Sequence, residues 1–164
     1  MIDQKITDVL AAAGIDLVLS LPCNMLSGII DEVNRRQIRH VPVCREEEGI
    51  GIAAGAVLAG NRPMLLMQNS GLGNCVNALM SLTALYELPL LMVMSHRGGA
   101  GEKISAQMPM GKTVPGLLDA MNIEYMNISS AEALSGLAEH ISSRFAQNRI
   151  IAILLKRELW HETD

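Results

Sequence analysis

The chain has 164 residues, 49% of them hydrophobic but only 2% aromatic, and a net charge of −4. That length suits one domain with a core of Leu, Ile, Val, Ala and eleven adaptable Met residues. Scarce aromatics and the lack of a basic stripe exclude a base-stacking or phosphate-gripping nucleic-acid surface.

Cys23, Cys44 and Cys75 are odd in number and have no metal-like spacing, which fits a reducing cytoplasm. No apolar run reaches the ~20 residues of a membrane helix. MIDQKITDVL lacks the pattern of a signal peptide.

Residues 3–13 read as an amphipathic helix with Ile6, Val9, Leu10 and Ala13 on one side, ended by Gly14. Leu17–Leu19 is a short apolar strand that stops before Pro22. A helix over 25–36 turns Leu26, Ile29, Ile30 and Val33 inward, and Val41–Val43 is a second strand. Residues 45–59 form a helix rich in Gly and Ala. Met64–Met67 is the third strand, and a Gly-rich turn at 70–73 opens a helix to about residue 86. Leu90–Met94 is the fourth strand, followed by a polar loop over 95–112. A helix at 114–121, a strand at 124–128, a helix at 131–147 and a strand at 150–155 complete the chain. Short continuous apolar strands alternating with helices predict an α/β, doubly wound, mainly parallel sheet with helices on both faces, in a single domain over 1–164. In such sheets ligands sit beyond the carboxyl ends of the strands, so the loops at 20–25, 44–48, 68–74 and 95–112 hold the candidate site.

Two segments carry chemical information. REEEGIGIAAGAVLAG (45–60) starts a helix with three glutamates and continues with small residues. Acidic residues there complement the helix dipole. Repeated glycine, at a cost of up to ~1 kcal/mol each, implies a close neighbour such as another helix or a partner chain. MQNSGLGNCVN (67–77) is a glycine-rich strand-to-helix turn without the lysine of a nucleotide-binding P-loop. Cys44 and Cys75 read as core fillers. His40, His140 and His161 have no partners at metal spacing, and no metal site is expected in this chain.

Glu46, nine residues before Gly55 in a small-residue helix with Ala53-Ala54-Gly55, is followed by Ser70-Gly71-Leu72-Gly73-Asn74-Cys75-Val76-Asn77. Together these resemble the pyrimidine-binding domain of thiamine-diphosphate enzymes. The resemblance spans nearly the whole chain. The run Gln68–Asn74, with Arg97-Gly98, Gln107 and Lys112 beyond it, is similar to the decarboxylases of phosphonopyruvate and sulfopyruvate. Ser95-His96-Arg97-Gly98 and GEKISAQMPMGK (101–112) lean toward the sulfopyruvate branch.

The resemblance implies that Glu46 is the catalytic residue, bonding the aminopyrimidine ring nitrogen of thiamine diphosphate. The family spacing selects Glu46 over Glu47 and Glu48. On helical geometry it shares a face with Ile50, Ala53 and Val57, whereas Glu47 and Glu48 read as solvated charges. Asn69, Ser70, Gly71, Leu72, Gly73 and Asn74 are the further expected cofactor-binding residues. The expected substrate-binding residues are Asn24, His96, Arg97, Gln107 and Lys112; Lys103 is a further candidate cation that reads more readily as an exposed loop charge. In the family, Mg2+ and the diphosphate are held by Gly-Asp-Gly, which is absent from this sequence. The implied partner is therefore a beta subunit carrying that motif, and the cofactor is shared between two chains of a hetero-oligomer. The implied reaction is decarboxylation of 3-sulfopyruvate to sulfoacetaldehyde in the coenzyme M pathway of a methanogen. Phosphonopyruvate or another 2-keto acid, or a non-catalytic regulatory role, are the alternatives.

Overall fold

The computed structural model describes residues 1–99 and 101–160; His161 lies outside them. Six parallel strands form one sheet in the order β2-β1-β3-β4-β6-β5. They are β1 (Leu17–Ser20), β2 (Arg39–Pro42), β3 (Pro63–Gln68), β4 (Leu90–His96), β5 (Glu124–Ile128) and β6 (Ile150–Lys156). Among the described residues the α-helices are α1 (Ile2–Ala12), α2 (Ser27–Arg35), α3 (Glu46–Leu58), α4 (Leu72–Ala78), α5 (Met108–Ala120) and α6 (Leu137–Ala146).

Each strand's alternation divides the core in two. Val18, Met64, Leu66, Leu91, Val93, Ile151, Ile153 and Leu155 pack with α1, α2 and α6. Leu17, Leu19, Leu65, Met67, Leu90, Met92, Met94 and Leu154 pack with α3, α4 and α5. Burial on both faces is why these strands read as unbroken apolar runs. The chain moves one way across the sheet over the first face, from β1 to β2 and from β5 to β6. It moves the other way over the second face, from β2 to β3 to β4 to β5. All five crossovers thus share one hand, as parallel strands require. Between β1 and β3 the chain departs to opposite faces, which opens a crevice at their carboxyl ends.

Several boundaries differ from expectation. A 3-10 turn at Asn24–Leu26 precedes α2, and a π-helical turn at Leu79–Thr83 follows α4. The helix expected at 131–147 is broken by Gly136 at φ 73°, leaving a 3-10 turn at Glu132–Leu134 and then α6. β4 runs through Ser95 and His96, which are expected in the loop over 95–112. The largest difference is α5, which begins at Met108 rather than 114. Pro109 sits in its first turn, where a missing N–H costs nothing. Pro115 lies inside it and cannot bond the carbonyl of Gly111. His96 replaces that donor: its Nε2 lies 2.9 Å from the Gly111 oxygen.

Candidate active site

The carboxyl end of the sheet has two corners. The first is the head of α3. Its N-cap, Arg45, is extended, and its first turn holds Glu46, Glu47 and Glu48. Two of these have specific work. Glu48 Oε2 accepts a bond of 2.9 Å from the Cys44 N–H, and Glu47 accepts one of 2.6 Å from Arg45 Nε. Glu48 is exposed and Glu47 half-buried, so both remain helix-start charges that also hold nearby donors.

Glu46 is half-buried and points toward the turn after β3. Asn74 Nδ2 donates to its Oε2 at 2.9 Å. A Cβ on Gly71 would lie 2.6 Å from both Glu46 Cγ and Oε1. Glycine at 71 is therefore a steric condition for this carboxylate to lie where it does. The same turn divides its remaining residues among different tasks. Leu72 is fully buried in the core, so its side chain anchors the turn. Ser70 Oγ accepts from Gln68 Nε2 at 2.7 Å, and Gly73 is exposed beside Met110. Asn69 is buried, and its amide faces the other corner. Burial, with Glu46 and Glu47 nearby, pushes the Cys75 thiol up to about 12, as befits a core filler, whereas Cys44, expected to fill the core too, is exposed at the turn before α3.

The second corner is the loop after β4. Asn69 Nδ2 donates to the Arg97 carbonyl, and Asn69 Oδ1 accepts from the Arg97 N–H, each at 3.1 Å. One buried amide thus clamps one residue's main chain from both sides. Cys23 Sγ lies 3.3 Å from Ser95 Oγ, tying the loop after β1 to the end of β4. Gly98 at φ 81° and Gly111 cross backbone to backbone: a Cβ on Gly98 would collide with the Gln107 carbonyl, and one on Gly111 with the Arg97 carbonyl.

Glu102, which sequence reading passed over, is the hub of this loop. It accepts from Arg97 Nε at 2.7 Å and Nη2 at 2.9 Å, from the Ile104 N–H at 3.0 Å and from the Gly98 N–H at 3.3 Å. The Arg97 guanidinium holds this carboxyl far below the usual carboxylate range, while the pairing raises Arg97 itself. The two side chains are only 17% and 3% exposed, so the pair is a satisfied internal ion pair.

Of the five expected substrate residues, two come together. Asn24 and Arg97 line a cavity of about 610 Å³ with Ser27, Glu102, Lys103 and Arg157. His96 is buried, bonded to the Gly111 carbonyl through Nε2 and to Lys156 Nζ through Nδ1. Since a carbonyl only accepts, Nε2 carries the hydrogen and Nδ1 is the acceptor. Burial pushes the His96 ring down from its ordinary value and Lys156 down likewise. Gln107 Oε1 accepts from Gln68 Nε2 at 2.8 Å, which fastens the start of α5 to the end of β3. Lys112 is exposed on α5 and stands apart from the cavity.

His40, half-buried on β2, bonds Ser20 Oγ at 2.7 Å and Asn34 Oδ1 at 2.9 Å. Ser20 is 3% exposed, so this Ser–His–Asn chain ties β1, β2 and α2 together from a buried hydroxyl out to the exposed Asn34. Among the described residues no cluster of three or more His, Cys, Asp or Glu is placed to hold a metal, and no helix is long and apolar enough to cross a membrane.

Residues 2–123 match the model of the thiamine pyrophosphate enzyme N-terminal TPP binding domain. The chain is 43% identical over 150 residues to sulfopyruvate decarboxylase subunit alpha of Methanococcus maripaludis, covering 90% of each chain. It is 35% identical over 162 residues to sulfopyruvate decarboxylase of Methanosarcina acetivorans, covering 99% of this chain and 42% of that one. Phosphonopyruvate decarboxylase of Streptomyces viridochromogenes is 34% identical over 152 residues, covering 92% of this chain and 36% of the other. In fold it is similar to 2-oxoglutarate:ferredoxin oxidoreductase from Magnetococcus marinus, with a TM-score of 0.74 at 15% identity, over 94% of this chain and 28% of that one.

Proposed function

We propose, from the premise that the chain belongs to the thiamine pyrophosphate enzyme family and carries its N-terminal TPP binding domain, that it is the pyrimidine-binding alpha subunit of a sulfopyruvate decarboxylase. The observation that carries this reading is the Glu46 corner. A half-buried carboxylate stands at a helix head, with Asn74 on Oε2 and a glycine where any side chain would displace it. That cradle fits an aminopyrimidine. Thiamine diphosphate, when bound, supplies the electron sink that a 2-keto acid needs in order to lose carbon dioxide. Asn74 orients Glu46, whose Oε1 would hold the ring nitrogen of the bound cofactor through a hydrogen bond and so could keep a proton there. Gly71 leaves the room that Glu46 occupies, and the exposed Gly73 would leave backbone open to the ring. Asn69, Ser70 and Leu72 hold in shape the turn against which the ring would lie.

The diphosphate and Mg2+ fall to a beta subunit, because Gly-Asp-Gly is absent from this sequence. The Methanosarcina relative, of which this chain covers 42%, is a single chain long enough for both halves. Ile52 and Leu58 on α3, with Leu85 and Tyr86 after the π turn, are exposed apolar residues on the helical layer that Glu46 heads, and they suit a hetero-oligomeric contact. The substrate would enter the cavity that Asn24 and Arg97 line, with Asn24 as a contact and Arg97 shaping the wall through its pairing with Glu102. His96 and Gln107 support the loop, and Lys112 contributes charge from further off. The greater identity to the sulfopyruvate relative, 43% against 34% for the phosphonopyruvate one, supports a sulfonate substrate. On this reading the product is sulfoacetaldehyde, made in the cytoplasm for coenzyme M biosynthesis; the methanogen sources of the alpha-subunit relatives agree with it.

The test is carbon dioxide release from sulfopyruvate with thiamine diphosphate and Mg2+, by this chain alone and with a co-expressed chain carrying Gly-Asp-Gly. Activity only in the mixture, abolished by Glu46→Gln, is the expected result. Silence from two chains that demonstrably bind each other would sink the substrate assignment, and phosphonopyruvate would then be tried.

A further inference from the structure

The cavity beside Asn24 and Arg97 is built from three strand ends. Asn24 follows β1, Arg97, Glu102 and Lys103 follow β4, and Arg157 follows β6. Asp3 and Trp160 complete its polar wall. It lies at the same end of the sheet as Glu46 and is tied to that corner. Asn69 fixes the Arg97 main chain, and Gly71, two residues on, packs against Glu46.

The charges in this cavity are unequally committed. Asp3 Oδ1 accepts from Trp160 Nε1 at 3.0 Å. Glu102 is saturated by four donors, two of them from Arg97. Arg157 Nη1 donates to the Gly101 carbonyl at 3.1 Å. Lys103 is exposed and, among the described residues, has neither an ion pair nor a hydrogen bond. The wall therefore holds three cations against two carboxylates. Its excess is a single positive charge, and the ammonium without a partner is that of Lys103.

We propose that Lys103 is the residue that receives the distal anion of the substrate and selects a sulfonate over a phosphonate. This rests on the decarboxylase reading above. A sulfonate carries one negative charge at every physiological pH and has no proton to give. A phosphonate, like a phosphate, gains a second charge near neutrality. One uncommitted ammonium balances the first. Beyond that ammonium the cations of the wall are already engaged, Arg157 with the Gly101 carbonyl and Arg97 with Glu102, which cannot leave it without stranding a guanidinium that is only 17% exposed, so the second charge would go unbalanced. Arg97 thus shapes the cavity, its Glu102 partner sets the limit on negative charge, and Lys103 makes the ionic contact.

The experiment uses the reconstituted two-chain enzyme, with Lys103→Met and Lys103→Arg compared to wild type. KM and kcat are measured for sulfopyruvate, and competitive inhibition constants for sulfoacetate and phosphonoacetate, which lack the keto group. Lys103→Met should raise both the KM for sulfopyruvate and the inhibition constant of sulfoacetate about 10- to 100-fold, the range for losing a charge-assisted bond. kcat should change little, and Lys103→Arg should restore most of the loss. Wild type should bind sulfoacetate more tightly than phosphonoacetate, increasingly so as pH rises from 6 to 8. If Lys103→Met keeps both constants within about twofold of wild type while turnover still depends on Glu46, the proposal is overturned and the decarboxylase reading stands. If wild type turns over phosphonopyruvate and not sulfopyruvate, both fall together. Because Lys103 is exposed, neither substitution should alter circular dichroism or thermal unfolding.

Discussion

The Glu46 corner and the loop after β4 face the same solvent-filled end of the sheet, yet they are held by different means. Glu46 is placed by what is missing: Gly71 leaves room, and one bond from Asn74 suffices to orient the carboxylate. The loop is placed by what is present: four donors on Glu102, two bonds from Asn69, one from Gln68 and one from His96. A corner set by space should be sensitive to added volume, and a corner set by polar bonds to removed atoms.

The largest effect is expected from the carboxylate itself. Glu46→Gln should lower kcat of the two-chain enzyme by about 10²–10⁴, the usual worth of a positioned proton-transfer group, while leaving the fold intact. Gly71→Ala comes next. Its new methyl lies 2.6 Å from Glu46 Cγ, and a displacement of that order should cost on the order of 100-fold in kcat. Addition of a single carbon would then rival loss of the acid, which distinguishes a spatial constraint from a bonding one.

In the loop, Asn69→Ala should act on stability. It strips both bonds from the Arg97 main chain and should lower the unfolding free energy by about 1–3 kcal/mol. Amide exchange should quicken selectively at 97–104, while Glu46→Gln leaves that exchange unchanged. The smallest effect is one of pH. Burial holds His96 below the ordinary histidine value of 6.5, so folding favours its neutral form. The sign follows: that contribution is complete above 6.5 and is lost as pH falls through the lower folded value. Thermal unfolding midpoints should therefore decline below pH 6.5, and less so in His96→Gln. The Arg97–Glu102 pair should survive that titration, because Arg97 keeps Glu102 ionised far below the usual carboxylate range.

The same contrast explains what sequence could reveal. The parallel sheet was legible because both faces of the strands are buried, and the Glu46 corner because its parts lie in two short segments, 46–55 and 70–74. Glu102 was not, because its bonds require the chain to turn back through Gly98 and Gly101, both at positive φ. Nor was the role of His96. Pro115 orphans the Gly111 carbonyl, and the donor that reaches it comes from another element, 15 residues from Gly111. Lys156, which positions the other ring nitrogen, is 60 residues from His96. Short-range chemistry is written in spacing; loops closed by distant side chains are not.

The scarcity of aromatics, first met as a property of composition, has an optical consequence. Trp160 is the only tryptophan among 164 residues, and it stands on the wall of the cavity with its indole N–H on Asp3. Emission excited at the red edge of the ultraviolet band thus originates from one chromophore at one address. A charged guest settling beside it should shift or quench that light, so filling of the cavity can be followed without a label, before any turnover takes place.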